Sequence, residues 1–329
     1  MSKDFKEIKR MKTYAVINKN EEVRKLSRSG GIFTALSDEI LNRGGVIYGC
    51  VLDENFSAKH IRATTFKERD LMRGSKYIQS IIGDSFKQAK VDLDNGLDVL
   101  FSGTSCQIAG LKNYLRKDYD NLVCLDILCH GVPSPAVWKK YLEWVSNRLK
   151  SKIISANFRN KLEYGWRAHY ETITGLNGKQ FHGRVFFHIA YVENFVRPSC
   201  YECKYADIRH PADITIGDYW GIEKAYPAFD DNKGVSLVLI NTTKGQAIFD
   251  SVKDNIFYSE TKIEDSLQPV LKGPFSRPEN RDKFWNDFSK YPFTLIAYKY
   301  GEYGVINKYK KRIGYKINAL SNRVFGVKK

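Results

Sequence analysis

The sequence predicts an α/β fold with a mixed, largely parallel sheet in the N-terminal half and a less regular α+β region in the C-terminal half. Strand and helix patterns alternate along residues 14–149, which is typical of a mainly parallel sheet. The strand-like runs that follow are less regular and indicate an antiparallel or mixed region. The length of 329 residues, 43% of them hydrophobic, allows about two domains or one two-lobed unit.

The elements of the first half are recognised by apolar spacing and by helix starts. Gly31–Leu41 places Ile32, Leu36 and Ile40 at helical spacing, and Ser134 with Pro135 begins a helix that runs to about Leu149. The predicted strands are Tyr14–Asn18, Val46–Leu52, Val99–Ser102 and Leu122–Leu128, and the further helices are Ser85–Leu93 and Gln107–Leu115.

The second half contains shorter runs. Its predicted strands are Ile153–Phe158, Ala168–Thr174, Arg184–Phe187, Ile214–Gly217 and Leu237–Asn241. We therefore divide the chain into an N-terminal tail (1–12), an α/β region (13–150), a region with a C-x-x-C sequence (151–290) and a basic tail (291–329).

The charge is concentrated near the C-terminus. Residues 299–329 hold nine Lys or Arg and one Glu, which is half of the net charge of +16. Such a tail could bind an acidic protein or an anionic membrane surface, or could simply be solvated. No nucleic-acid-binding motif accompanies it. The charged start, MSKDFKEIKR, and the absence of a long apolar run predict a cytoplasmic protein, whose six cysteines favour metal binding or catalysis over disulfides.

Four cysteines are candidate metal ligands. Cys106 and Cys129 each follow a predicted strand, so parallel neighbours would bring both thiols to one edge of the sheet. Cys200 and Cys203 form the C-x-x-C, whose spacing lets both sulfurs face one centre. Four thiolates are the number that a [4Fe–4S] cluster needs. A zinc site, a redox dithiol and unrelated buried cysteines remain alternatives.

Two further cysteines fit this site less well. Cys124 lies five residues before Cys129 on the same strand, about 16 Å away at about 3.3 Å per residue, and is expected to be a small buried residue. Cys50 ends an early strand and has no partner in the local sequence.

Two short segments are candidate cofactor-binding turns. The first precedes a helix, whose N-terminus could hold a phosphate, although a plain helix cap is the alternative. The second is a polar break with two cations, and an ordinary loop is its alternative. The candidate residues are Arg28, Ser29, Gly30 and Gly31 in the first segment and Ser75, Lys76 and Tyr77 in the second.

Two residues are candidates for a catalytic role. His130 directly follows Cys129 and could donate a proton or a hydrogen bond at the cysteine site, or could simply be packed. Asp218 begins the sequence Asp-Tyr-Trp-Gly soon after the C-x-x-C, where this segment could form a wall of the same site. Its Trp220 could equally belong to the core.

Several long motifs resemble one known family. They occur in order over residues 27 to 245: SGGIFTAL, GGVIYGC, RGSKYIQS, VLFSGTSCQIAGL, DILCHGVPSP, RPSCYECKYADIRHPADITIGDYWG and KGVSLVLINTTKG. They resemble the coenzyme F-420 hydrogenase/dehydrogenase beta-subunit family. GTSC stands where GTPC is usual in that family, a change that leaves the thiol of Cys106 in place.

The resemblance implies an iron–sulfur flavoprotein oxidoreductase with one [4Fe–4S] cluster beside FAD, acting on coenzyme F-420 or another small redox substrate. It implies that the four candidate cysteines ligate the cluster and that the two turns contact the flavin. Many members carry an N-terminal ferredoxin module, which this sequence lacks, so we expect an external electron-transfer protein such as an acidic ferredoxin. The alternative is an accessory or scaffold protein of surface-polysaccharide biosynthesis that docks at the membrane through its basic tail.

Overall fold

An eight-stranded mixed sheet forms the centre of the fold. The computed structural model describes residues 12–191 and 194–304. Within these ranges the strands are β1 (Lys12–Asn18), β2 (Val46–Leu52), β3 (Ala58–Ala63), β4 (Val99–Thr104), β5 (Leu122–Ile127), β6 (Ile153–Asn157), β7 (Glu171–Gly175), β8 (Gln180–Gly183), β9 (Ile214–Asp218), β10 (Ser236–Ile240) and β11 (Ile256–Thr261).

The α-helices of the same ranges complete the architecture. They are α1 (Glu21–Leu26), α2 (Ile32–Asn42), α3 (Phe66–Asp70), α4 (Ser85–Asp94), α5 (Ser105–Leu115), α6 (Pro135–Leu149), α7 (Lys161–Tyr164), α8 (Val185–Tyr191), α9 (Ile222–Ala225), α10 (Thr243–Ser251), α11 (Arg281–Lys290) and α12 (Phe293–Tyr300). None of the helices in these ranges is long and apolar enough to cross a membrane.

Five strands of the large sheet run in one direction. The order is β11-β1-β10-β9-β5-β4-β2-β3. Strands β2, β4, β5 and β9 pair in parallel, and β1 shares their direction because β1 and β9 are both antiparallel to β10, which lies between them. The predicted α/β class with a largely parallel sheet is confirmed. The carboxyl ends of these five strands lie along one side of the sheet, which we call the carboxyl edge.

Helices cover both faces of this sheet. Because side chains alternate along a strand, Leu100 packs in one buried cluster with residues of α2 and α10. Its neighbours Val99 and Phe101 pack in a second cluster with residues of α4 and α5. Burial on both faces explains why the central strands read as nearly continuous apolar runs.

The chain forms two compact units that are not consecutive in sequence. Of the described residues, the first contains 12–135, 158–169 and 197–276, and the second contains 136–157, 170–191, 194–196 and 277–304. The sequence instead suggests a single division near residue 150. The difference arises because β9, β10 and β11, from the second half of the chain, complete the sheet of the first unit. The predicted N-terminal tail before Lys12 and the basic tail beyond residue 304 lie outside the described residues.

The second unit contains the antiparallel sheet β6-β7-β8 and a buried aromatic cluster. The predicted strand at Arg184–Phe187 is wrong, because Val185–Tyr191 form α8. The carboxylate of Glu171 on β7 accepts hydrogen bonds from the N–H groups of Phe186 at 2.9 Å and Phe187 at 3.4 Å, in the first turn of this helix. This contact comes from a distant part of the chain, so the local pattern could not reveal it.

Candidate cofactor site at the carboxyl edge

All four candidate cysteines belong to the first unit. Cys106 lies in the first turn of α5 directly after β4, and Cys129 lies two residues after β5. Burial, with smaller contributions from Cys200, Cys106 and Cys203, raises the pKa of the Cys129 thiol to about 12, against a hydrogen bond from the N–H of Gly131. The parallel pairing of β4 with β5 that the sequence suggests is confirmed.

The loop after β5 holds the C-x-x-C segment in place. Arg197 N–H donates to the carbonyl of Val132 at 3.0 Å, and Cys200 N–H donates to the carbonyl of Arg197 at 2.9 Å. Burial raises the pKa of the Cys200 thiol. A hydrogen bond from the N–H of Val132 to the Cys200 sulfur acts in the opposite direction and lowers this pKa. Backbone N–H donors to sulfur are among the features that tune iron–sulfur sites.

Gly131, two residues after Cys129, packs close to Cys200. Its φ is +92°, and a Cβ atom there would lie 3.0 Å from Phe275 Cζ and 3.5 Å from Cys200 Cβ. A larger residue would therefore strain the backbone and press against the ring of Phe275. The ring of His130 packs against Phe275 at a centroid distance of 5.1 Å, so the candidate proton donor lies beside the same loop.

The candidate metal donors of this site are four cysteine thiols. Within residues 12–191 and 194–304, no three His, Cys, Asp or Glu side chains are arranged to hold one metal ion. A structural zinc ion needs four ligands at about 2.0–2.3 Å from one point. Each thiolate of a [4Fe–4S] cluster binds a different iron, so the sulfurs need not converge on one point.

The remaining two cysteines have other surroundings. Cys124 is fully buried in the core, and burial raises its pKa to about 12. Cys50 lies opposite His60 across the β2–β3 pair, and burial also raises its pKa. Both surroundings agree with the expectation that these residues are not ligands, which stays a prediction.

The first candidate flavin turn is packed against the start of β10. Ser29 Oγ donates to the carbonyl of Val235 at 2.6 Å, and Gly30 N–H donates to Ser236 Oγ at 3.0 Å. A Cβ atom on Gly30 would lie 2.1 Å from the carbonyl oxygen of Val16. Gly31, with φ +91°, begins α2 without a side-chain cap. The turn therefore brings an uncapped helix N-terminus to the carboxyl edge, beside the end of β1.

The second candidate turn reaches the same helix. Arg73 Nε donates to Thr34 Oγ1, in the first turn of α2, at 3.1 Å. Lys76 Nζ instead donates to three carbonyls of its own loop, those of Leu71, Met72 and Arg73, at 2.9–3.0 Å. All three N–H groups of Lys76 are thus used, whereas Arg73, which also pairs with Asp70 at 2.7 Å, lies beside the N-terminus of α2. Ser75 is exposed in the same loop.

Residues of both turns also meet around Arg159. Arg28 Nη2 donates to the carbonyl of Trp166 at 2.6 Å, and Arg28 Nη1 donates to the carbonyl of Arg159 at 3.3 Å. Arg159 Nη1 donates to the hydroxyl of Tyr77 at 3.1 Å and to Asp218 Oδ2 at 2.7 Å. The structure therefore links the two predicted turns through one buried arginine.

Asp218 is held as a carboxylate. Burial by itself would raise its pKa, but Arg159, Arg28 and a hydrogen bond from Trp166 Nε1 lower it below its usual range. Both carboxylate oxygens already accept hydrogen bonds. This environment suits an electrostatic role and does not suit a proton donor.

Sequence reasoning missed Arg159 and Trp166. Trp166 is fully buried and stacks on Trp220 with ring centroids 4.9 Å apart and an interplanar angle of 9°. The guanidinium of Arg159 lies 5.2 Å from the centre of the Trp220 ring. Both missed residues belong to FRNKLEYGW, where the only signal was an arginine and a tryptophan in an irregular stretch.

Comparison with known proteins agrees with this architecture. The family profile that describes the C terminus of the coenzyme F420 hydrogenase/dehydrogenase beta chain matches residues 97–266. The protein is also similar to a chain of the F420-reducing [NiFe] hydrogenase complex from Methanosarcina barkeri, with a TM-score of 0.54 and 21% identity over 84% of this chain and 91% of that chain. No curated protein matches the sequence.

Fold and family match together define an α/β oxidoreductase related to F420 hydrogenase. The family profile covers more than half of the sequence. The chain belongs to the coenzyme F420 hydrogenase/dehydrogenase beta-subunit family. The structural likeness, at its low identity, supports the fold alone.

Proposed function

We propose that this protein is an iron–sulfur flavoprotein that moves electrons between a [4Fe–4S] cluster, FAD and a small redox substrate such as coenzyme F-420 or another hydride carrier. One observation carries the proposal. Cys106 and Cys129 lie just after the paired strands β4 and β5, and the Cys200–Cys203 segment is hydrogen-bonded to the loop after β5, at the same sheet edge at which the two candidate flavin turns meet.

The cysteines would hold the cluster, and the loop between them would stabilise it. Cys106, Cys129, Cys200 and Cys203 supply the four thiolates that such a cluster requires. Burial raises the pKa of Cys129 and of Cys200, so both thiols favour the protonated form until a metal replaces the proton. Binding of iron therefore releases protons and should weaken as the pH falls.

The two turns would hold the flavin. The uncapped N-terminus of α2 at Gly31 offers backbone N–H groups to a phosphate, and Arg73 supplies a positive charge beside it. Tyr77 and Arg28 of these turns are linked through Arg159. A bound flavin exchanges two electrons with a hydride carrier and single electrons with a cluster.

The net charge of the protein suggests the class of its electron donor. The sequence has a net charge of +16, and an acidic ferredoxin would be attracted to a basic surface. The cluster would receive single electrons from that protein.

Anaerobic purification followed by absorption spectroscopy and by iron, sulfide, zinc and flavin analysis tests the proposal. We expect one FAD, about four iron and about four sulfide per chain. Addition of oxidised coenzyme F-420 to the reduced protein then tests hydride transfer. A protein that contains zinc alone and no flavin would contradict the proposal and favour a metal-stabilised scaffold.

A further inference from the structure

A buried hydrogen-bonded group lies between three of the segments that carry the cysteines. His210 Nδ1 is 2.9 Å from Asp126 Oδ2 and 3.2 Å from Ser105 Oγ. The side chains of His210 and Asp126 are 3% and 0% exposed. Neither residue has a role in the site described above.

The three residues connect separate parts of the cysteine site. Ser105 directly precedes Cys106, Asp126 lies three residues before Cys129, and His210 lies seven residues after Cys203. A single imidazole therefore joins the start of α5, the end of β5 and the loop that contains the C-x-x-C. The ring thus adds a side-chain link to the backbone contacts that already hold these segments together.

The hydrogen bonds assign the protons of the ring. An ionised carboxylate can only accept, so Nδ1 carries the proton that faces Asp126. Because Ser105 shares the same nitrogen, the group lacks the geometry of a nucleophilic triad, in which serine and aspartate bind opposite nitrogens. His210 Nε2 is buried and has no hydrogen-bond partner among the described residues.

We propose that His210 is a positioning residue of the cysteine site and that its Nε2 contacts the iron–sulfur group bound there. A histidine that ligates or approaches a metal centre usually donates its other nitrogen to a carboxylate, which orients the ring. Asp126 supplies that carboxylate here. Nε2 is the ring atom left to make such a contact, because it is buried and has no hydrogen-bond partner among the described residues. The inference rests on the proposed function, since it requires a cluster.

The test uses the full chain, loaded anaerobically with iron and sulfide. His210→Ala removes both ring nitrogens, whereas His210→Asn keeps an N–H donor for Asp126 and removes Nε2. His182→Asn, in the second unit, is the matched control, because its Nδ1 also lies near a hydroxyl, that of Thr172 at 3.1 Å. Circular dichroism checks that each variant folds.

We expect His210→Ala to lose iron to a chelator at least about tenfold faster than the wild type, as is typical when a group that orients metal ligands is removed. His210→Asn should restore iron retention but shift the midpoint potential of the cluster. Protein labelled with ¹⁵N-histidine should show nitrogen coupling in the electron spin echo of the reduced cluster. That coupling should vanish in His210→Asn and persist in His182→Asn.

The outcomes separate this inference from the proposed function. Unchanged iron loss in His210→Ala would overturn the positioning role. Absence of ¹⁵N coupling in the iron-loaded wild type, with an unchanged potential in His210→Asn, would overturn the Nε2 contact. A wild-type chain that binds no iron would overturn the cluster itself and both parts of the inference with it.

Discussion

Arg159 Nη1 lies 2.7 Å from Asp218 Oδ2, and the two side chains are only 3% and 12% exposed. This pair joins an irregular segment of the chain to the end of β9. Loss of one partner would leave the other charge buried without compensation, which is the costly case for a buried ion pair. The pair is therefore central to the stability of the carboxyl edge.

Asp218→Asn should lower the free energy of unfolding by about 3–5 kcal/mol, because Arg159 would stay buried without its counter-ion. Denaturant unfolding measures the change. Glu223→Gln is the control, since Glu223 pairs with Arg167 on the surface at 3.3 Å and should cost about 1 kcal/mol or less. Equal effects of the two substitutions would contradict this account.

The same pair predicts a pH dependence. The pKa of Asp218 is lowered in the folded protein, so its ionisation contributes stability above the unfolded pKa of about 3.9. That contribution is lost as the pH falls through the lower folded pKa. The wild type should therefore lose more stability in this acid range than Asp218→Asn does, as denaturant titrations at several pH values would show.

Substitution of single cysteines should distinguish those that bind the cluster from those that do not. Cys129→Ala should reduce bound iron from about four per chain to nearly none, because a cluster needs its full set of thiolates. Cys50→Ala is the control and should keep the iron. Iron analysis and the visible spectrum after anaerobic reconstitution measure both. Retained iron in Cys129→Ala would remove Cys129 from the ligand set.

The cation beside α2 should affect flavin binding. Arg73→Gln should weaken FAD binding about tenfold, which corresponds to the loss of one charge-assisted hydrogen bond. Lys67→Gln, an exposed cation on the neighbouring α3, should leave affinity unchanged. Titration of FAD into flavin-free protein measures both. Gly30→Val is unsuitable, because its Cβ would collide with the carbonyl of Val16 and disturb the fold.

Glu171 should make the second unit sensitive to pH. Burial raises its pKa from 4.5 to about 7, against hydrogen bonds from Phe186 N–H and the hydroxyl of Tyr141. Its stabilising contribution is therefore present below pH 4.5 and is lost as the pH rises to about 7, a change of about 3 kcal/mol. Glu171→Gln should flatten this dependence, whereas the exposed Glu143→Gln should not. Unfolding curves between pH 5 and 8 would decide.

Electron delivery should depend on salt. If an acidic ferredoxin reduces the cluster, its rate should fall markedly as ionic strength rises, because exposed charges are screened over about 8 Å at 0.15 M. Neutralisation of basic residues in 305–329 should slow the reaction at low salt without changing the cluster spectrum. Stopped-flow absorption measures these rates. A neutral small-molecule reductant is the control and should respond to neither change.

The local pattern of residues was sufficient for much of the framework. Apolar spacing and helix starts predicted α2 and α6, and continuous apolar runs predicted the central strands β2, β4 and β5. It also follows from these strands that Cys106 and Cys129 emerge at one edge. The strands that escaped prediction are β3, β8 and β11. Each lies at an edge of its sheet. An edge strand is partly exposed, so its sequence needs fewer apolar residues and its pattern is harder to recognise.

The tertiary structure decided which distant residues meet. Local spacing reports how a segment is buried, but it carries no record of a partner far along the chain. For this reason the sequence suggested Arg184–Phe187 as a strand. In the folded protein Lys76 binds its own loop and Glu171 caps a helix. Arg159, Trp166 and His210 likewise gain their importance from contacts made only on folding.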